Sequence, residues 1–201
     1  MAYASWVTPN KVSGNGNDTV SWTGSAHTGR SPRQTTATFA ASGVTPKVLT
    51  INQAGKTEFV SMDDTASVAK AGGSVTISGI SNSSKLTFAL TGTNGIGLIL
   101  PTTYLANSVN TNNGAAISGD PGATQQYAFS ITFSNIPENT SVSALVSQLT
   151  VTDNNGNTDT CEITQAAGDA YLTISPTTIN LTAAGTAESV SVSSNTSWSI
   201  S

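Results

Sequence analysis

The sequence predicts an all-β protein built from tandem β-sandwich units, and three observations carry that prediction. Charged residues make up only 9% of the chain while Ser and Thr supply about three in ten, a bias that suits strands and turns rather than surface helices. Hydrophobic residues still reach 37%, enough for a core when alternate residues of each strand face inward. One strand ending also occurs twice, as Val48-Leu-Thr-Ile-Asn-Gln-Ala-Gly55 and as Cys161-Glu-Ile-Thr-Gln-Ala-Ala-Gly168, which marks an internal repeat. The 201 residues leave room for about two units of roughly 100 residues each.

Residues 1–55 form a partial unit. It begins at Ala4-Ser-Trp-Val-Thr-Pro9 and supplies only later strands, near 19–23, 35–40 and 47–52. Residues 56–168 run from an opening to an ending and so make one complete sandwich, with strands expected near 74–78, 85–90, 127–133, 148–152 and 160–164. Asn154-Asn-Gly156, set between alternating Leu149-Thr-Val151 and Cys161-Glu-Ile163, is a strong hairpin signal. The Asn- and Gly-rich stretch from Pro101 to Ala123 reads as a long loop and a candidate display surface. Residues 169–201 repeat the opening. Leu172-Thr-Ile-Ser corresponds to Phe59-Val-Ser-Met, and Ala184-Gly-Thr-Ala-Glu-Ser-Val-Ser-Val-Ser193 to Ala71-Gly-Gly-Ser-Val-Thr-Ile-Ser78. Ser194-Asn-Thr-Ser-Trp-Ser-Ile-Ser201 follows, loosely matching Ser81-Asn-Ser-Ser-Lys-Leu-Thr-Phe88.

Four motifs resemble the BACON family of immunoglobulin-like modules: Ser194-Asn-Thr-Ser-Trp198, Ser5-Trp-Val-Thr8, His27-Thr-Gly-Arg-Ser31 and Thr50-Ile-Asn-Gln53. The resemblance covers both ends and is weak in the middle, where Leu86 or Phe88 and the apolar run Ile96–Leu100 stand at the Trp positions. The motif order is permuted: the family's opening lies at the C-terminus and its remainder at the N-terminus. The resemblance therefore implies tandem immunoglobulin-like (BACON-like) sandwiches, one complete and one split between the two terminal segments. On this reading residues 169–201 complete the sandwich begun by 1–55, within the chain or in a neighbouring subunit, because a 55-residue remnant buries too little apolar surface and leaves strand edges unpaired. The exchanged segment would act through Tyr171, Ile174, Val190, Val192, Trp198 and Ile200. A neighbouring donor makes the contact head to tail, closing as a ring, such as a trimer, or continuing as a fibre.

The composition excludes several function classes. Net charge is -4 with seven basic residues, so no basic stripe exists to neutralise a run of phosphates, and nucleic acid is not an expected partner. No stretch reaches membrane-spanning length, and Met1–Asn10 lacks the basic and apolar regions of a secretory signal, so synthesis and retention in a cytoplasm are expected. Cys161 is the single cysteine, so no internal disulfide can form. Any Ser-His-Asp or Cys-His arrangement must use His27, the only histidine, which sits in a Gly-Ser-Ala-His-Thr-Gly turn. No enzyme activity and no cofactor are expected. Asp153-Asn-Asn-Gly-Asn-Thr-Asp159 offers alternating oxygens to calcium, but its Gly is misplaced for an EF-hand, and a plain hairpin turn is the preferred reading.

Trp22 alternates with Val20 and Trp198 with Ile200, which assigns both indoles to a core. Trp6, Arg30, Arg33 and Tyr104 are the candidate glycan or partner contacts. Modules resembling these decorate phage capsids and fibres. The expectation is accordingly a structural virion protein: a capsid auxiliary or decoration protein, or a head-fibre subunit, like those of crAss-like phages. It would sit on the capsid surface against the major capsid protein, as a homo-oligomer. The family's name implies the alternative, a carbohydrate-binding or adhesion module of a bacterial surface protein, which predicts saturable glycan binding lost on Trp6→Ala.

Overall fold

The computed structural model describes residues 3–201. The fold is all-β: fifteen strands and one short 3-10 turn, Pro121–Ala123, are its regular elements among those residues. In the N-terminal segment β1 (Val7–Pro9) pairs with β2 (Trp22–Gly24), and β3 (Arg33–Phe39) pairs with β4 (Lys47–Gln53), both antiparallel. These two ladders are separate two-stranded sheets.

The middle segment contains β5 (Val60–Met62), β6 (Thr65–Val68), β7 (Gly73–Ser81), β8 (Leu86–Asn94), β9 (Thr103–Ala106), β10 (Val109–Asn112), β11 (Tyr127–Ile136), β12 (Leu145–Asp153) and β13 (Thr158–Gln165). They form two sheets, ordered β10-β9-β11-β7-β5 and β6-β13-β12-β8. Every pairing is antiparallel except β6 along β13. Alternation explains the core. Tyr127, Phe129, Ile131 and Phe133 of β11 point inward, as do Leu149 and Val151 of β12 and Cys161 and Ile163 of β13, and all are buried in one cluster. Phe88 stacks edge-on to Phe129 across the layers, with ring centroids 5.7 Å apart, a geometry that adds to the area term.

The strands expected in this segment all form, several of them longer than the sequence signals. The stretch from Pro101 to Ala123 is a correction: it holds the β9–β10 hairpin, which adds to the sheet beside β11. Its turn, Asn107-Ser108, has both residues at positive φ, the backbone of a tight hairpin, but Asn-Ser is a weaker turn signal than Asn-Gly. The Asn154-Asn-Gly156 turn does join β12 to β13. Asp153 accepts from the Asn155 and Asn157 backbone N–H groups at 2.9 and 2.8 Å and from Asn157 Nδ2 at 2.7 Å, so its oxygens are engaged in shaping that turn.

In the C-terminal segment β14 (Leu172–Ser175) pairs only with β15 (Ser191–Ser194), Ile174 opposite Val192. Neither joins β1–β4, so completion of the N-terminal unit within one chain is not formed.

Candidate functional site

The distinctive surface of this molecule lies on its terminal segments, whose strands form separate two-stranded sheets. β4 has the same alternation as β13, yet Cys161, Ile163 and Gln165 are 0–1% exposed whereas Leu49, the counterpart of Cys161, is 37% exposed. Phe39, Val44 and Val48 are exposed as well. Between the ladders β1–β2 and β3–β4 lies an open groove of about 880 Å³ lined by Tyr3, Val20, Trp22, Ala37, Phe39 and Val44. Trp22 sits half-buried in it, edge-on to Tyr3 at 5.3 Å and to Phe39 at 6.5 Å. This groove stays open where the middle unit has a second facing sheet.

The C-terminal segment shows the complementary defect. Tyr171, Ile174 and Val190 are exposed, Trp198 is 51% and Ile200 89% exposed, and Val192 alone of the expected exchange residues is half-buried. The expectation of a core position for Trp198 is therefore corrected for the single chain: it lies past the end of β15, outside any strand, and no sheet covers it. Leu172, Ile179 and Leu181, which the sequence reading did not single out, are exposed too. Their signal lay in the repeat: Thr178-Ile-Asn-Leu181 matches Thr65-Ala-Ser-Val68.

The joints between segments are duplicated. At the first, the Phe59 N–H donates to Asn82 Oδ1 (2.9 Å), Ser81 Oγ donates to Phe59 O (2.6 Å), Asn82 Nδ2 donates to Thr28 O (3.2 Å), and the Lys56 N–H donates to Gly29 O (2.8 Å). At the second, one unit length on, Tyr171 N–H donates to Asn195 Oδ1 (3.0 Å), Ser194 Oγ to Tyr171 O (2.9 Å), Asn195 Nδ2 to Thr140 O (3.1 Å), and Gly168 N–H to Ser141 O (2.7 Å). Close backbone approach accompanies both. A Cβ on Gly55 would lie 1.9 Å from Arg30 O, and one on Gly168 2.4 Å from Asn139 O. The sequence reading matched Ser81-Asn82 with Ser194-Asn195, but only the tertiary structure reveals the Asn side chain as the clasp of each joint.

The remaining candidate contacts fall into three settings. Arg30 is turned inward at the first joint: it ion-pairs with Asp120 and donates to Asn82 O at 2.8 Å. Arg33 lies over the Trp6 ring, 4.5 Å from its centroid, and bonds Gln53 Oε1 and Ser25 O, each at 2.8 Å. Trp6 is half-buried, one face covered by that guanidinium, an arrangement held by the ring quadrupole. Tyr104 is corrected outright. It is 3% exposed, packed on Phe88 at 4.9 Å, because β9 turns its alternate residues into the core, and burial pushes its hydroxyl up from its ordinary pKa. The four residues do not converge on one surface site. His27 Nε2 donates to Ser31 O at 2.7 Å, shaping its own turn. Burial pushes the Cys161 thiol up to about 11, with the carboxylates of Asp63, Asp64, Asp159 and Glu162 adding to it, so the thiol is neutral and inert near neutral pH. Among the described residues no cluster of His, Cys, Asp or Glu is placed to hold a metal, and no helix is long and apolar enough to cross a membrane.

No protein-family model matches this chain, and no curated protein matches it.

Proposed function

We propose that this is a structural protein that decorates or stabilises a bacteriophage head, interlocked with its neighbours by exchanged strands. The observation that carries the reading is the contrast between one sealed sandwich and two apolar half-sandwiches on the same chain. A surface this apolar and this rich in open strand edges is an association surface. The resemblance to BACON-type modules, which occur on phage capsids and fibres, directs that association to a virion.

The function is then mechanical. Each exchanged strand adds a ladder of backbone hydrogen bonds, individually about 1 kcal/mol, and buries alternate apolar residues, so subunits separate only by unpairing whole strands. An oligomer of this kind, a trimer or a longer head-to-tail assembly, would sit over capsomer junctions on the major capsid protein and resist their separation. Glycan binding by Trp6 is the weaker reading, since Arg33 already occupies one face of the indole. Mass spectrometry of purified virions, with heat challenge of particles made without the protein, tests the proposal. Presence in the virion and earlier rupture of the deleted particles are expected; absence from virions, or unchanged rupture and host attachment, would overturn it.

A further inference from the structure

The sealed middle unit is a template for what the open N-terminal unit lacks. In it β6 runs parallel to β13, pairing Ala66 with Ile163 and Val68 with Gln165, while β8 flanks β12 with Phe88 opposite Val151. β3 and β4 repeat β12 and β13: Ala37 pairs with Leu49 as Leu149 pairs with Cys161, and Gln53 and Gln165 end their strands alike. The outer edges of β3 and β4 have no partner strand among the described residues.

The C-terminal segment carries the template's opening in the same order. By ladder register Leu172 and Ile174 stand for Val60 and Met62, one residue along from the match the residues alone give, since Leu172 faces Ser194 as Val60 faces Ser81; Val190 then stands for Ile77 and Val192 for Gly79. Thr178–Leu181 stand for β6, and Trp198 and Ile200 for Leu86 and Phe88. Met62, Val68, Val75, Ile77, Leu86 and Phe88 are core residues of the middle unit, whereas Leu181, the counterpart of Val68, is 62% exposed and outside any strand.

We propose that the C-terminal segment of one copy completes the N-terminal unit of a second copy, with Thr178–Leu181 parallel to Thr50–Gln53 and Ile200 beside Phe39. The donor and acceptor belong to different copies because the joints hold them at opposite ends of the middle unit. Asn82, just after the end of β7, clasps the N-terminal segment by donating to Thr28 O. Lys70, just before β7, ion-pairs with Asp169 at the start of the C-terminal segment. The nine residues of β7 separate these points by about 30 Å at the strand rise of about 3.3 Å per residue, with the packed core between. Because the Ser-Asn clasp and one backbone bond recur at both joints, each completed unit would meet the middle units before and behind it in a similar way. The contact is heterologous, so copies add head to tail.

This deepens the strand-exchange reading by naming donor, acceptor and register, and it is independent of which particle carries the protein. The test is the full-length chain carrying Cys161→Ser with Asn52→Cys and Asn180→Cys, oxidised in solution. In register these two positions are neighbours within disulfide reach. The expected result is a ladder of disulfide-linked dimers, trimers and higher species, at least about tenfold more abundant than from Asn52→Cys with Ala184→Cys, whose thiols lie beyond that reach. A disulfide within single chains, or no excess over the control pair, would overturn the proposal. Leu181→Asp gives a second readout that leaves the middle unit untouched: solution mass should fall to that of one chain, and an unchanged assembly mass would overturn it. A ladder from a protein missing from virions would remove the capsid role alone; virion incorporation without a ladder would remove the interlock alone.

Discussion

Gln165 and Gln53 close equivalent strands in the same chain under opposite conditions. Gln165 is sealed beneath the end of β11, donating to Pro137 O at 2.8 Å, and the strand behind it presents Cys161 and Ile163 to a full core. Gln53 makes a like bond, Nε2 to Ser25 O at 2.9 Å, yet the strand behind it faces an open groove. Near-identical strands thus reach similar local ladders and different burial. Ladder formation is settled by neighbours close in sequence; burial is settled by a second layer that the middle unit owns and the N-terminal unit does not.

The sharpest way to break this comparison is to delete the same kind of side chain from both units. Phe88→Ala should cost the middle unit about 3–5 kcal/mol, and Ile163→Ala about 2–5 kcal/mol, since each leaves a cavity in a closed core. Ile51→Ala, the counterpart of Ile163→Ala, should cost under about 1 kcal/mol in dilute protein, because a half-exposed side chain loses only part of its transfer free energy. Urea unfolding over a range of protein concentrations measures all three. The gap between Ile51→Ala and Ile163→Ala should narrow as concentration rises and the open unit is completed.

A smaller effect comes from the paired glutamines. Gln165→Ala strands buried carbonyls and should cost about 1–3 kcal/mol, whereas Gln53→Ala, which loses an exposed bond to Ser25 O and a partly buried one from Arg33, should cost about 0.5–1 kcal/mol. Equal losses in the two variants would show that the N-terminal unit is as sealed as the middle one.

The pH dependence distinguishes the units in another way. Folding raises the Cys161 thiol from its ordinary 9.0 to about 11, so the unfolded chain releases that proton first. Its contribution is complete below about pH 9 and is lost as pH rises toward 11. Burial raises Tyr104 and Tyr127 in the same direction. Stability of the middle unit should therefore decline above pH 9, with a shallower decline from pH 9 to 11 in Cys161→Ala, as followed by denaturant midpoints. At the joint, Arg30→Ala should change stability least, about 0–1 kcal/mol for a partly exposed pair. It should nevertheless widen the range of inter-unit distances seen by small-angle scattering, because Arg30 ties the N-terminal segment to Asp120 and Asn82.

Much of the fold was legible in the residues. β3, β4, β11, β12 and β13 all lie where β-branched and apolar residues alternate with Thr, Ser and Asn, and Asn154-Asn-Gly156 marked its hairpin. The β9–β10 hairpin has only a weak sequence signal because Thr103-Tyr-Leu-Ala106 and Val109-Asn-Thr-Asn112 are short and its Asn-Ser turn lacks glycine. The candidate site was half legible. The permuted repeat points to the C-terminal segment, but Ile179 and Leu181 lie outside its strongest matches, and Tyr104 carries no signal in its own strand that β9 turns it into the core.

By itself the sequence determined the all-β class, the phase of the repeat and the apolar face of each strand, since these follow from composition and a period-two alternation that any local window contains. Only the tertiary structure decided which of those faces is covered, that Asn82 and Asn195 clasp equivalent joints, and that the terminal segments stand at opposite ends of the middle unit. Those properties depend on which distant strand lies alongside, and strand pairing at long range has no signature in the residues of one strand alone.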